Sequence, residues 1–141
     1  MFTIGYEKRN GEELINLLLD HKVEVLADVR EKPMSRKPDF RGGVLKASCE
    51  RAGILYQGWP ALGSTQKQRD YLHETGNFAM FARRFRAYAK RALSAEILRL
   101  AGVVGERRVA LLCYERCHDE CHRSIVADML ATKLGVAIIR L

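Results

Sequence analysis

Two stretches constrain this chain more than any others. Arg108 to Tyr114 reads RVALLCY, and Val23 to Val29 reads VEVLADV, with almost no alternation of apolar and polar residues before Asp28. A strand exposed on one face alternates, whereas one covered on both faces does not. A sheet built from such strands needs helices on either side. Between the strands the apolar residues recur at helical spacing. Leu14, Ile15, Leu17, Leu18 and Leu19 mark a helix over 11–20, and Val44, Leu45 and Ala47 resume the pattern. Phe78, Phe81, Phe85, Tyr88 and Ala92 mark a long helix. Ser94 is placed to cap a further helix through Leu100. Asp119 is placed to cap one from Glu120 to Leu134, with Gly135 at its C-cap. Short strands are expected at Phe2–Tyr6, Ile54–Tyr56 and Val136–Leu141, and 57–77 is left without a clear pattern. The alternation predicts an α/β fold. It is a single domain over 1–141, a mostly parallel five-stranded sheet with helices on both faces, Rossmann-like and three-layered.

Length and composition agree with that architecture. At 141 residues the chain is too short for a (β/α)8 barrel but long enough for a true core. Its longest strictly apolar run, Val109–Tyr114, is far below the ~20 residues that cross a bilayer. No basic flank precedes an apolar segment at the start, so no signal peptide is read there. The expected setting is cytoplasmic, away from membranes, with cysteines reduced. Lys and Arg number 24 against 17 Asp and Glu, a formal charge of +7. That excess favours nucleotides, nucleic acid or acidic surfaces as partners, although it also serves solubility. The basic run Arg83 to Arg91 reads as the wet side of its helix.

In a parallel α/β sheet, ligands meet the protein beyond the carboxyl ends of the strands. That rule would gather residues 5–8, 28–36 and 113–123 at one rim. Asp28 ends its strand and needs a partner such as Arg30 or Arg123, since an isolated buried carboxylate is costly. Glu115 holds the matching position after the fourth strand. Arg123 sits in the first turn of a helix, where a cation opposes the dipole unless an anion compensates. With the free amides there it would cradle an oxyanion or phosphate; the plainer reading is a salt bridge. Cys121 and His122 lie four before Ile125 and Val126, so both face the sheet, either as core residues or as part of a site.

Cys113, Cys117 and Cys121 fall within nine residues beside His118 and His122. Cys117-x5-Arg123-Ser124 has the form of a cysteine-phosphatase loop, but it lacks the glycines that let the amides converge on phosphate. The three cysteines with His118 or His122 are also a possible zinc set, with undistinctive spacing. Tyr56 and Trp59 are possible base-stacking residues, more simply read as core. No dinucleotide or Walker glycine motif is present, so no cofactor is implied.

These residues carry a resemblance. Thr3-Ile4-Gly5, Asp28-Val29-Arg30 with Pro33 and Ser35, Tyr56, Leu62-Gly63, Leu112-Cys113-Tyr114-Glu115 and Cys121-His122-Arg123 together make the chain resemble the DUF488 family. Tyr6-Glu7 departs from the family pattern, where a small polar residue and asparagine are common. The resemblance implies an α/β fold and a shared pocket built from Asp28, Arg30, Cys113, Glu115, Cys121, His122 and Arg123, and brings no settled reaction. The leading expectation is a protein that binds a small phosphorylated or nucleotide-like ligand, as a hydrolase or transferase. Arg123, Arg30, Arg36 and Ser35 would hold the anion, and Glu115, Asp28 and His122 would act on protons or as nucleophile. Two alternatives stand beside it: a non-enzymatic nucleic-acid-binding module, and a metal or thiol site using Cys113, Cys117 and Cys121. Oligomeric state is left open.

Overall fold

The strands read most directly from the sequence form the middle of the sheet. In a computed structural model describing residues 1–141, β1 (Phe2–Gly5), β2 (Val25–Asp28) and β4 (Val109–Cys113) are buried along their whole length. The edge strands β3 (Leu55–Gly58) and β5 (Ile139–Arg140) are more exposed. The order is β3-β2-β4-β1-β5, and every pairing is parallel. β4 is therefore central, with Gly5 beside Cys113 and Asp28 beside Leu112.

Each face of the sheet has its own core. Val25, Ala27, Val29, Val109 and Leu111 point to one face and pack against α4 (Phe78–Ala92), α5 (Ser94–Glu106) and α6 (His122–Leu134). Phe2, Ile4, Leu26, Ala110 and Leu112 point to the other, against α1 (Gly11–Asp20) and α2 (Gly42–Arg51). No helix is long and apolar enough to cross a membrane.

Several local expectations are corrected. Residues 57–77 are ordered: β3 runs to Gly58, a 3-10 turn covers Pro60–Leu62, and α3 spans Gln66–Thr75. Thr65 and Gln68 form the capping box of α3, a start signal present in the sequence but not read. Ser94 is the first residue of α5 rather than its cap, and its hydroxyl donates to the Lys90 carbonyl at 2.8 Å. Asp119 does not cap α6. Residues His118–Glu120 make a 3-10 turn, α6 starts at His122, and Asp119 instead meets Arg140 at 2.8 Å. Gly135 caps α6 in the left-handed conformation, as predicted. The last strand pairs over two residues only, and Val136 and Ile138 before it pack against the α4–α6 side.

Candidate functional site

The exits of β2 and β4 are neighbours at the carboxyl edge, but successive strand residues face opposite ways. Two polar clusters form as a result, one on each face.

On the α1/α2 face, Asp28 is 1% exposed and ion-paired with Arg30. Its Oδ1 accepts from the Arg30 amide at 3.1 Å and Arg30 Nε at 2.8 Å. Its Oδ2 accepts from Arg30 Nη2 at 2.5 Å and the Tyr56 hydroxyl at 2.7 Å. A carboxylate has about four lone-pair sites, and all are taken. Arg30 Nη1 donates further to the Tyr6 hydroxyl at 3.1 Å and the Phe40 carbonyl at 2.9 Å. Burial alone would lower the Arg30 pKa, but the hydrogen bond and charge of Asp28 outweigh it and raise the pKa above its ordinary value. Burial, then the Asp28 charge, raises the Tyr56 phenol as well. The same burial, with Asp28 and Glu50, pushes the Cys49 thiol up to about 12. Asp28 and Arg30 thus hold each other, and the roles of base and anion holder expected of them have no free atoms to draw on.

On the α4–α6 face, the end of β4 meets the start of α6. Cys113, Cys121 and His122 are all buried there, and their two Sγ atoms and one ring nitrogen lie within 4.8 Å of one another. His122 Nε2 stands 2.9 Å from the Val29 carbonyl on β2's exit. A carbonyl only accepts, so Nε2 carries a proton and Nδ1 is the atom turned to the sulfurs. Nδ1 is 3.8 Å from Cys113 Sγ and 4.0 Å from Cys121 Sγ. The ring is supported from behind by Phe85 of α4, 5.5 Å between centroids. Cys113 Sγ also donates to Glu115 Oε2 at 3.2 Å.

Burial pushes the Glu115 carboxyl up, but the Cys121 thiol, its own backbone amide, the Cys113 thiol and the His122 ring outweigh it and leave it lowered. Burial pulls His122 down, but the Cys121 thiol, the Val29 carbonyl and Glu115 turn the balance upward. For Cys121, burial and the neighbouring Cys113 raise the thiol well above its ordinary value.

Backbone packing places this cluster. A Cβ on Gly5 would lie 1.9 Å from the Glu115 carbonyl oxygen, so the chain leaving β4 rests directly on β1's glycine. From the other side Arg123 donates Nη1 to the Glu115 carbonyl and Nη2 to the Arg116 carbonyl, the latter at 3.1 Å. Arg123 is only 1% exposed. The expected anion cradle is therefore revised to a brace: the compensating negative charge at the start of α6 comes from two carbonyl dipoles of the same loop. Its Nε has no partner.

The remaining candidates lie apart from the cluster. Cys117 is exposed. His118 is buried but turned to Thr3, Nδ1 to Oγ1 at 2.9 Å; burial, then Arg140 and Arg123, hold its pKa below the ordinary value. Arg36 is exposed on the loop after β2, and Ser35 Oγ accepts from the Lys37 amide of that same loop at 3.1 Å. Trp59 is 7% exposed within the core, beneath Arg99, and not set to stack a base. Tyr6 and Glu7, where the sequence departs from the family pattern, both accept hydrogen bonds, from Arg30 and from the Arg116 amide at 3.0 Å. Sequence reasoning missed the Val29 and Phe40 carbonyls, which have no side-chain signature. It also missed Phe85 as a ring support, although its helical phase was read correctly.

No curated protein and no solved structure matches this chain. A family model described as a domain of unknown function, DUF488, matches residues 10–130, and the chain belongs to that family.

Proposed function

We propose that this chain is a metal-binding protein, with a soft divalent ion such as zinc held at the end of β4 by Cys113, Cys121 and His122. One observation supports this reading above all: two thiols and an imidazole nitrogen, from a strand tip and a helix start, converge within 4.8 Å out of solvent. Zinc binds sulfur near 2.3 Å and nitrogen near 2.0 Å in tetrahedral sites, which sets ligand atoms roughly 3.5–3.8 Å apart. The Cys–His separations of 3.8 and 4.0 Å come within a few tenths of an ångström of that spacing. The Val29 carbonyl fixes the ring from its far nitrogen, the usual second partner of a metal-bound histidine. The fourth ligand would come from a small movement of Glu115, which lies beside the three converging atoms but outside their group. Binding removes the proton that Cys113 shares with it, and the carboxylate already lies 3.2 Å from that sulfur. Two thiolates and a carboxylate bring negative charge that a dication offsets within the buried site.

This reading replaces anion-dependent hydrolysis or transfer as the leading one, because Asp28, Arg30 and Arg123 are engaged internally. It narrows the expected thiol set from three cysteines to two, with His122 rather than His118 as the nitrogen ligand.

Purification from zinc-supplemented medium, with native mass spectrometry and metal analysis, tests it. One equivalent of zinc per chain is expected, along with a sulfur-to-cobalt charge-transfer band after cobalt(II) exchange. Cys113→Ser and Cys121→Ser should each lose the ion, and Cys117→Ser should keep it. A chain that binds no ion, or one that yields a Cys113–Cys121 disulfide in its place, overturns the reading.

A further inference from the structure

The charge of this protein is concentrated on one helix. α4 carries Arg83, Arg84, Arg86, Lys90 and Arg91 and no acidic residue, so it accounts for five of the formal +7. All five cations are exposed, and Phe81, Phe85 and Ala89 hold the opposite face in the core. Among them only Arg86 has an ion-pair partner, Asp128 at 3.1 Å. Arg84 lies over the Tyr71 ring at 4.3 Å, which positions the guanidinium without neutralising it. Beside this face, a groove of about 710 Å³ between α4, α5 and α6 adds Lys133 to Arg86 and Lys90.

We infer that the α4 face binds the phosphate backbone of nucleic acid. Arg83, Arg86 and Lys90 recur at helical spacing along one side. At 1.5 Å per residue they span about 10 Å, roughly the axial rise of three phosphate-to-phosphate steps on one strand of a duplex. The surface around them argues against other polyanions. A membrane-binding helix gains much of its hold from apolar side chains that insert beside its cations, and none of the exposed large hydrophobic residues belongs to α4. A protein partner draws most of its affinity from buried anchor residues in well-packed pockets, and only three of the nine groove-lining residues are hydrophobic. Phosphate contacts need neither, because they draw on charge and counterion release. The site is separate from the Cys–His cluster and does not depend on a metal there.

The test is fluorescence anisotropy of the full chain with a fluorescein-labelled random-sequence DNA duplex, titrated at several salt concentrations. Log affinity should fall linearly with log salt, with a slope of roughly −4 for four to five phosphates. The pair Arg83→Ala and Lys90→Ala, exposed and outside any ion pair, should reduce that slope by about 2. The pair Lys22→Ala and Arg51→Ala, exposed at the ends of α1 and α2 on the other side of the sheet, makes the same charge change away from α4 and should leave the slope as it was. Circular dichroism melts confirm that both pairs fold. Undetectable binding at ~0.05 M salt overturns the inference. So does an equal loss in both pairs, or binding of polyglutamate or of anionic phosphatidylserine vesicles as tight as that of the duplex.

Discussion

Asp28–Arg30 and Cys113–Cys121–His122 lie at neighbouring strand exits, on opposite faces of one sheet, and they are built on different logic. In the first, each carboxylate lone pair and nearly every guanidinium donor meets a partner of matching kind at 2.5–3.1 Å. In the second, one ring nitrogen faces two sulfurs at 3.8 and 4.0 Å, weak partners at long range. Both are buried and both look catalytic in sequence. A complete set of hydrogen bonds marks groups whose work is to hold the fold together. Converging soft ligands with no strong bond among them are what the proposed ion site would require.

The largest expected effect would come from breaking the complete cluster. Asp28→Ala leaves Arg30 buried without its carboxylate, a loss of about 3–5 kcal/mol, measured by urea denaturation. A loss below about 1 kcal/mol would mean the pair is not the structural element described.

Metal should separate the two clusters next. Zinc at a hundredfold excess over its dissociation constant stabilises a folded chain by about 2.7 kcal/mol. The wild type and Tyr56→Phe should both show that rise in melting temperature over a chelated sample, whereas Cys121→Ser should not. A rise that persists in Cys121→Ser would place the ion elsewhere.

Tyr56→Phe removes a single hydrogen bond to the ionised Asp28 and should cost about 1.5 kcal/mol, with zinc content unchanged. Any effect on the metal would show the clusters to be coupled through β2.

The smallest effect concerns His118, whose loop joins β4 to α6. Its folded pKa lies below its ordinary 6.5, through burial first and then Arg140 and Arg123, so the fold favours the neutral ring. The stability this contributes is complete above about pH 6.5 and is lost as pH falls through the lowered folded value. Urea midpoints measured down this range should decline, and His118→Gln should flatten the decline. An unchanged slope would remove His118 from the acid response.

Much of the fold was legible because strands buried on both faces leave an unbroken apolar record, as at Val109–Cys113. The motifs were legible too: Asp28-Val29-Arg30, Cys113-x-Glu115 and Cys121-His122-Arg123 all stand at the carboxyl edge. Their grouping was not. Reading them as one pocket ignored the alternation of side chains along a strand, which sends Asp28 and Cys113 to opposite faces. Arg123 was misread because its partners are the carbonyls of Glu115 and Arg116. Every residue has a carbonyl, so no pattern of side chains distinguishes those two.

Periodicity and composition therefore determined the layers, the parallel sheet, the edge at which polar residues gather and the charged helix face. These follow from local spacing and from the cost of burying apolar or charged atoms. Which polar groups touch was decided only by the tertiary structure. Gly5 lets the β4 exit settle on β1, α6 enters at His122 rather than Glu120, and the Val29 carbonyl selects the ring nitrogen that faces the sulfurs. Such contacts depend on backbone approach within a few tenths of an ångström, a quantity set by how all the layers pack together.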